Sequence, residues 1–171
     1  AENLPVAVVA AINGASRGTV TVSSESGHAG TVPMTLRKDA LTAAAEMILA
    51  IETSARGQDG LVATVGRIEV PNSSANTVAG SVTFTFDLRS ASDQQRRSAL
   101  KSIEERIAVI AGVRGVTAKF AITYDAPAAT SDAGLSDALA QAIVRCGLPQ
   151  RSMTSGAGHD AMAFGGKIPF S

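Results

Sequence analysis

The chain has 171 residues, 15 basic and 15 acidic side chains, and a formal net charge of zero. A balanced charge without a basic stripe argues against a nucleic-acid partner. Hydrophobic residues make up 45% of the chain, enough for a core, and the single Cys146 excludes an internal disulfide framework and fits a reducing compartment.

The first five residues lack the basic stretch of a signal peptide, so a cytoplasmic location with no membrane association is the expectation. Residues 6–12 are apolar, Val-rich and too short to span a bilayer, which predicts a buried strand. Asn13-Gly14 is a turn signal, followed by a loop to Gly18. Residues 19–23 alternate as a half-buried strand, and a loop from Ser26 to Pro33 follows. Leu36, Ala40, Ala44, Met47, Ile48 and Ile51 fall on one helical face, and that helix ends before Gly57. Residues 61–70 read as one strand and 71–76 as a turn. In residues 81–89, Val82, Phe84, Phe86 and Leu88 share one face, while Thr83, Thr85, Asp87 and Arg89 share the other. Ser92 and Gln95 form a capping box for a helix with Leu100, Ile103, Ile107 and Ile110 as its stripe and Gly112 as its stop. Residues 116–124 alternate as another strand.

From Thr19 the order is strand, helix, strand, strand, helix, strand. That order predicts an α+β fold of the split βαβ, or ferredoxin-like, kind, with both helices on one face of an antiparallel sheet. The first strand can add at an edge. Residues 126–130 read as a linker, dividing the chain into 1–126 and 127–171. The second part offers one helix, with Leu135, Leu139, Ala142, Ile143 and Cys146 on its apolar face, Gly147 as its C′ residue and Pro149 as its stop. A Gly-rich loop from Ser155 to Ala161 comes next, and Ile168 begins an unfinished strand. Segments of roughly 40 residues rarely fold alone, so this tail is expected to belong to a second domain whose remainder lies elsewhere.

A catalytic zinc needs three protein ligands, and the only histidines, His28 and His159, lie far apart in sequence. Ser155-Gly156-Ala157-Gly158 is no nucleophile elbow, since Ser must stand between the glycines. Cys146 reads as a small buried side chain. Gly156 to Ala161 matches GxGxxA, but the element before it reads as a helix rather than a strand, so the match is discounted. His28, in a Gly-flanked loop, either meets an anion or is an exposed turn residue. Arg89 either clamps a carboxylate bidentately or pairs with Asp87. Asn76 is a ligand contact or an ordinary turn residue. His159 beside Asp160 is an oriented imidazole or a satisfied loop residue.

At these residues the chain resembles the amidohydrolase family of N-carbamoyl-L-amino acid hydrolases and allantoate amidohydrolases. Gly27-His28-Ala29-Gly30-Thr31-Val32-Pro33-Met34 followed by Arg37-Lys38-Asp39-Ala40 resembles its HAGTTPM…RxD segment. Asn76-Thr77-Val78-Ala79-Gly80 resembles its NVVPG-type turn, Phe84-Thr85-Phe86-Asp87-Leu88-Arg89 its FTxDxR strand, and Ser155 to Ala161 its SGAGHDA loop. Val32 and Ala79 replace the usual Thr and Pro without removing a polar role. The resemblance implies a lid domain that mediates homodimerisation and is inserted into an α/β catalytic domain with two divalent metal ions, zinc or manganese. It implies cleavage of a ureido or amide C–N bond by a metal-bridging water, with a Glu as base. The metal ligands of the pattern lie outside this sequence, so the chain is expected to be a fragment: the lid plus a short return into the catalytic domain, binding no metal and inactive alone. Carried over, His28 is catalytic, reaching across the dimer to an oxyanion; Asn76 and Arg89 bind the substrate's carboxylate side; Gly158 and His159 contact the small-molecule substrate. The alternatives are a peptidase or aminoacylase of the same dimetal clan, or a non-catalytic dimerisation or binding module.

Overall fold

A computed structural model describes residues 4–165 and 167–171. Its elements are β1 (Val8–Ile12), β2 (Gly14–Ser23), β3 (Gly27–His28), α1 (Ala40–Arg56), β4 (Leu61–Thr64), β5 (Ile68–Glu69), β6 (Thr77–Val78) and β7 (Ser81–Ser90). They continue with α2 (Asp93–Arg114), β8 (Thr117–Ala126), β9 (Ala129–Thr130), α3 (Ala133–Arg145) and β10 (Ser152–Ser155). The main sheet runs β4-β7-β2-β8, with β5 also paired to β7. All of its pairings are antiparallel. Val20, Val22, Val82, Phe84, Phe86 and Leu88 point from this sheet into one core with Met47 and Ile51 of α1 and Ile103, Ile107 and Ile110 of α2. The fold is α+β, as the periodicities predict. No helix among the described residues is long and apolar enough to cross a membrane.

Strand β1 is not an edge strand of that sheet. It lies between β10, parallel, and β9, antiparallel, in a separate three-stranded sheet. The linker expected over 126–130 therefore contains a strand, and a strand precedes the Gly-rich loop. A 3₁₀ turn at Asp160–Phe164 follows that loop, so the strand–turn–helix of a dinucleotide site is still not formed. No strand is found at residues 168–171.

The Asn13-Gly14 pair is not a hairpin turn, because β2 starts at Gly14 and pairs without a break along β7. Residues 14–18 hide as a loop in the sequence because their inward positions are Gly14, Ser16 and Gly18 instead of large apolar groups. Gly18 is required by close approach: a Cβ there would sit 2.6 Å from the Phe86 ring, which stacks on Phe120 at 4.8 Å between centroids. Ser16 is buried because Arg96 of α2 is buried beneath it. Arg96 has 0% exposure; its Nη1 donates to Ser16 Oγ and to Asp125 Oδ1, and its Nη2 donates to Asp93 Oδ1 at 3.0 Å. Ser16 Oγ also donates to Asp125 at 2.6 Å, and Asp93 accepts the Ala128 N–H at 2.9 Å.

Helix α1 starts later than the apolar stripe suggests. Asp39 caps it by accepting from Leu41 N and Thr42 N, and Leu36 sits outside it in an exposed 3₁₀ turn. The strand expected over 61–70 is split, since Thr64 opposes Asp87 and Ile68 opposes Phe84, leaving one residue too many on the outer strand. Helix α2 runs through Gly112 and stops at Gly115, whose φ of 64° supplies the left-handed cap. Only half of its capping box forms: Ser92 Oγ accepts Gln95 N–H, but the Gln95 side chain bonds Ser90 Oγ and Asp59 O instead. Helix α3 ends as expected, with Gly147 at φ 73° and Leu148 N–H donating to Ile143 O. Its apolar face is not covered, however. Leu135, Leu139 and Cys146 are exposed, and only Ala140 is buried. The burial expected for Cys146 fails because α3 packs chiefly on β1, which leaves much of its apolar face uncovered.

Removing Arg96 would leave Asp93, Asp125 and Ser16 without their shared cation. Arg96→Ala should therefore cost about 3 kcal/mol in urea unfolding, well above an exposed ion pair. The Ser16 hydroxyl, opposed by burial and aided by Arg96, holds the Asp125 carboxyl below its ordinary value of 3.8. A carboxylate lowered on folding adds stability that is complete above its unfolded pKa and lost as pH falls through the folded one. Urea midpoints should thus fall as pH drops below 3.8, and Asp125→Asn should flatten that fall.

Candidate functional site

Arg89 lies on the face of β7 away from the helices, as its alternation with Leu88 requires. Its Nε and Nη2 donate to the two oxygens of Asp87 at 2.7 and 2.9 Å, and its Nη1 donates to Gly156 O at 2.7 Å. Of the two readings left open by the sequence, the pairing with Asp87 is the one formed within the chain. Of the five guanidinium donors, three are used here, which leaves one on Nη1 and one on Nη2. The Arg89 hydrogen bond, opposed by burial and joined by Arg17, holds the Asp87 carboxyl below its usual range. Asp87 in turn raises the Arg89 pKa, against burial. Arg17, on β2 opposite Asp87, donates from Nε at 2.7 Å and lies 4.9 Å over the Tyr124 ring. Sequence reasoning missed Arg17 because residues 14–18 did not read as a strand; extending the alternation of β2 back from Val20 would have placed it on this face.

The bond to Gly156 ties Arg89 to the Gly-rich loop. In that loop His159 caps the 3₁₀ turn, and its Nδ1 accepts Ala161 N–H at 3.1 Å. The proton of a neutral His159 is therefore on Nε2. His159 lines two adjacent hollows, one with Ile12, Ser131, Ser155 and Phe170, the other with Gly158, Tyr124, Pro127 and Met162.

His28 and Asn76 form a second group. Strands β3 and β6 make a two-stranded ribbon in which His28 opposes Thr77, and Ala29 N–H donates to Asn76 O at 2.8 Å. His28 is exposed, with Nδ1 accepting Gly30 N–H at 3.1 Å, so its neutral imidazole also presents an Nε2–H outward. Asn76 Oδ1 accepts from Ser74 Oγ at 2.8 Å. The turn after His28 is held by Arg37, whose Nε donates to Val32 O at 3.1 Å and whose Nη2 donates to Ala29 O. Arg37 was legible only as part of a motif, since a side chain that bonds backbone carbonyls leaves no periodic trace.

Asn76 and Arg89 are not together. The ribbon continues from the Ser23–Ser81 end of the β2–β7 ladder, whereas Arg89 stands beside Ala15 near the other end. The strand from Ser81 to Arg89 spans about 27 Å at ~3.4 Å per residue. In one copy of the chain the candidate residues thus fall into two groups, His28 with Asn76 and Arg89 with Gly158 and His159, too far apart for one small molecule. Among the described residues no three His, Cys, Asp or Glu side chains converge to hold a metal ion.

A family profile described as "Peptidase dimerisation domain" matches residues 10–114. Among curated proteins, the chain is 36% identical over 162 residues to an N-carbamoyl-L-amino-acid amidohydrolase of Pseudomonas sp. (strain NS671), covering 94% of this chain and 39% of that protein. It is 36% identical over 188 residues to the allantoate deiminase of Arabidopsis thaliana, covering 93% and 35%. Among solved structures, a hydantoinase/carbamoylase family amidase from Burkholderia ambifaria superposes with a TM-score of 0.92 at 34% identity, covering 96% of this chain and 41% of that one. The chain thus spans well under half the length of these relatives.

If Arg37 fixes the turn that fixes His28, Arg37→Met should release the Gly30 N–H bond. Nitrogen chemical shifts of His28 should then move from a pure Nε2–H form toward a mixture of tautomers, with a stability loss of about 1 kcal/mol. An unchanged His28 spectrum would show that the turn holds without Arg37.

Proposed function

Because the chain belongs to the peptidase dimerisation domain family, and its relatives are carbamoyl amino acid and allantoate amidohydrolases, we propose that it is the lid and an adjoining piece of such an enzyme. The parent protein cleaves the ureido or amide C–N bond of an N-carbamoyl-L-amino acid or of allantoate. The strand order β4-β7-β2-β8, with both helices on one face, supports a ferredoxin-like lid. The small sheet of β1, β9 and β10, with the uncovered apolar face of α3, supports a second, α/β domain completed by other parts of the parent. The exposed free thiol of Cys146 suits a cytoplasmic setting.

The observation that carries this reading is the separation of the two groups along β7. A homodimer paired through the lids can bring His28 and Asn76 of one copy to Arg89, Gly158 and His159 of the other. Strand β8, at the outer edge of the main sheet, offers unpaired backbone groups for such pairing. The substrate's carboxylate meets the donors of Arg89 that Asp87 and Gly156 leave unused. The carbonyl under attack acquires negative charge, and His28 donates its Nε2–H to that oxygen, its tautomer already set by Gly30. His159, pinned in the same way, donates its Nε2–H to substrate from the loop that Arg89 holds. Asn76 offers its side-chain amide beside His28. Two divalent metal ions, zinc or manganese, supply the activated water when bound. Among the described residues no cluster of donors fits them, and we assign the ions to donors elsewhere in the parent protein.

Mixing two inactive variants of the parent tests the shared site. His28→Ala and Arg89→Ala should each lose activity as homodimers. After exchange of subunits in equal amounts, about half the dimers are mixed, and each carries one intact site of two, so about a quarter of wild-type activity should return. No recovery, with mixed dimers shown to form, would mean that His28 and Arg89 serve a site within one copy, and the site shared between two copies would be overturned.

A further inference from the structure

We propose that Arg17 is a positioning residue for Arg89 and supplies the positive charge that makes this face attract a carboxylate, an inference that rests on Arg89 meeting the substrate's carboxylate. Arg89 and Asp87 alone form a neutral, bidentate pair. Such a pair has no net field to draw an anion, and it can swing as a unit about the two side chains that hold it. Arg17 changes both properties. Its Nε donates to Asp87 Oδ2, the same oxygen that accepts from Arg89 Nη2. Two guanidinium groups on one carboxylate leave a net charge of +1. The guanidinium of Arg17 also lies 4.9 Å over the Tyr124 ring, so Asp87 is referenced to β2 and β8 as well as to its own strand. Arg89 is then held from three sides: by Asp87, through Asp87 by Arg17, and by Gly156 O of the Gly-rich loop.

Stability does not account for this arrangement. The Arg17 side chain is 48% exposed, and an ion pair of that exposure contributes about 0–1 kcal/mol. The Nη1 and Nη2 of Arg17 have no hydrogen-bond partner among the described side chains and backbone, so the hydrogen bonding of its guanidinium is directed at Asp87 alone. Its geometric consequence falls on Asp87, and through Asp87 on the direction in which Arg89 points.

The test uses the nitrogen-15-labelled chain itself, with two readouts: solvent exchange of the Arg89 Nε–H, and titration of that resonance with sodium acetate. Arg17→Met should speed the exchange about fivefold and raise the acetate midpoint by about the same factor, as the loss of one exposed pairing predicts. Arg17→Lys should restore the acetate midpoint, because the charge returns. It should leave the exchange faster than wild type, because an ammonium cannot stack on Tyr124. Tyr124→Leu, which leaves Arg17 in place, should accelerate exchange less, and it decides the matter if Arg17→Met fails to fold. Unchanged exchange in Arg17→Met, or in its place Tyr124→Leu, would overturn the positioning role. If exchange responds but acetate leaves Arg89 untouched even in the wild type, the positioning stands and the carboxylate reading of Arg89 fails instead.

Discussion

Burying a guanidinium takes a strongly hydrated cation out of water, and the cost is tolerable only where carboxylates and hydroxyls close around it. Arg96 imposes that demand on the fold. To meet it, α2 must begin at Asp93, β8 must reach Asp125, and β2 must extend back to Ser16. Burial works against the Arg96 charge, and Asp93 and Asp125 outweigh it, so its pKa stays above the ordinary value. The Nε of Arg96 is buried without a partner among the described residues. Extending β2 to satisfy Arg96 is also what sets Arg17 opposite Asp87 on the other face of the sheet. The face that carries Arg17, Asp87 and Arg89 is thus placed by a charge it does not contain.

The side chains that bear on the proposed chemistry share one property: each is fixed by a bond that leaves its working atoms unused. His28 and His159 accept backbone N–H groups at Nδ1 and present Nε2. Arg89 spends three donors on Asp87 and Gly156 and keeps two. Groups held in this way lose little further freedom when a ligand arrives, so more of each contact appears as binding or as stabilisation of developing charge.

The parts of this structure legible in the sequence are those where burial is apolar and periodic. The alternation of Val82, Phe84, Phe86 and Leu88, and the stripe of Ile103, Ile107 and Ile110, led directly to β7, α2 and the α+β class. The first half of β2 was illegible because its buried positions hold Gly14, Ser16 and Gly18, chosen for a polar network and for close approach to Phe86. The true partners of β1 were hidden because parallel pairing with β10 leaves no local signal across so long a separation. The four motifs marked candidate residues one by one, but their grouping in space was not legible. Spacing along a chain says nothing of which end of a strand a turn lies on, and the register of β2 with β7 separates Asn76 from Arg89.

The chain passes between its three-stranded sheet and its main sheet twice, at residues 13–14 and at residues 126–128, and the passages touch: a Cβ on Gly14 would lie 2.5 Å from Ala128 N and 2.8 Å from Asp93 Oδ1. The 14–126 segment therefore enters and leaves through one doorway. A segment whose ends meet can be gained, lost or exchanged between proteins with only a short join to close, because the host strands on either side need not move to admit it. The same geometry makes Gly14 and Ala128 a natural pair of splice points for moving this segment onto another core, and it requires a residue without a side chain at position 14.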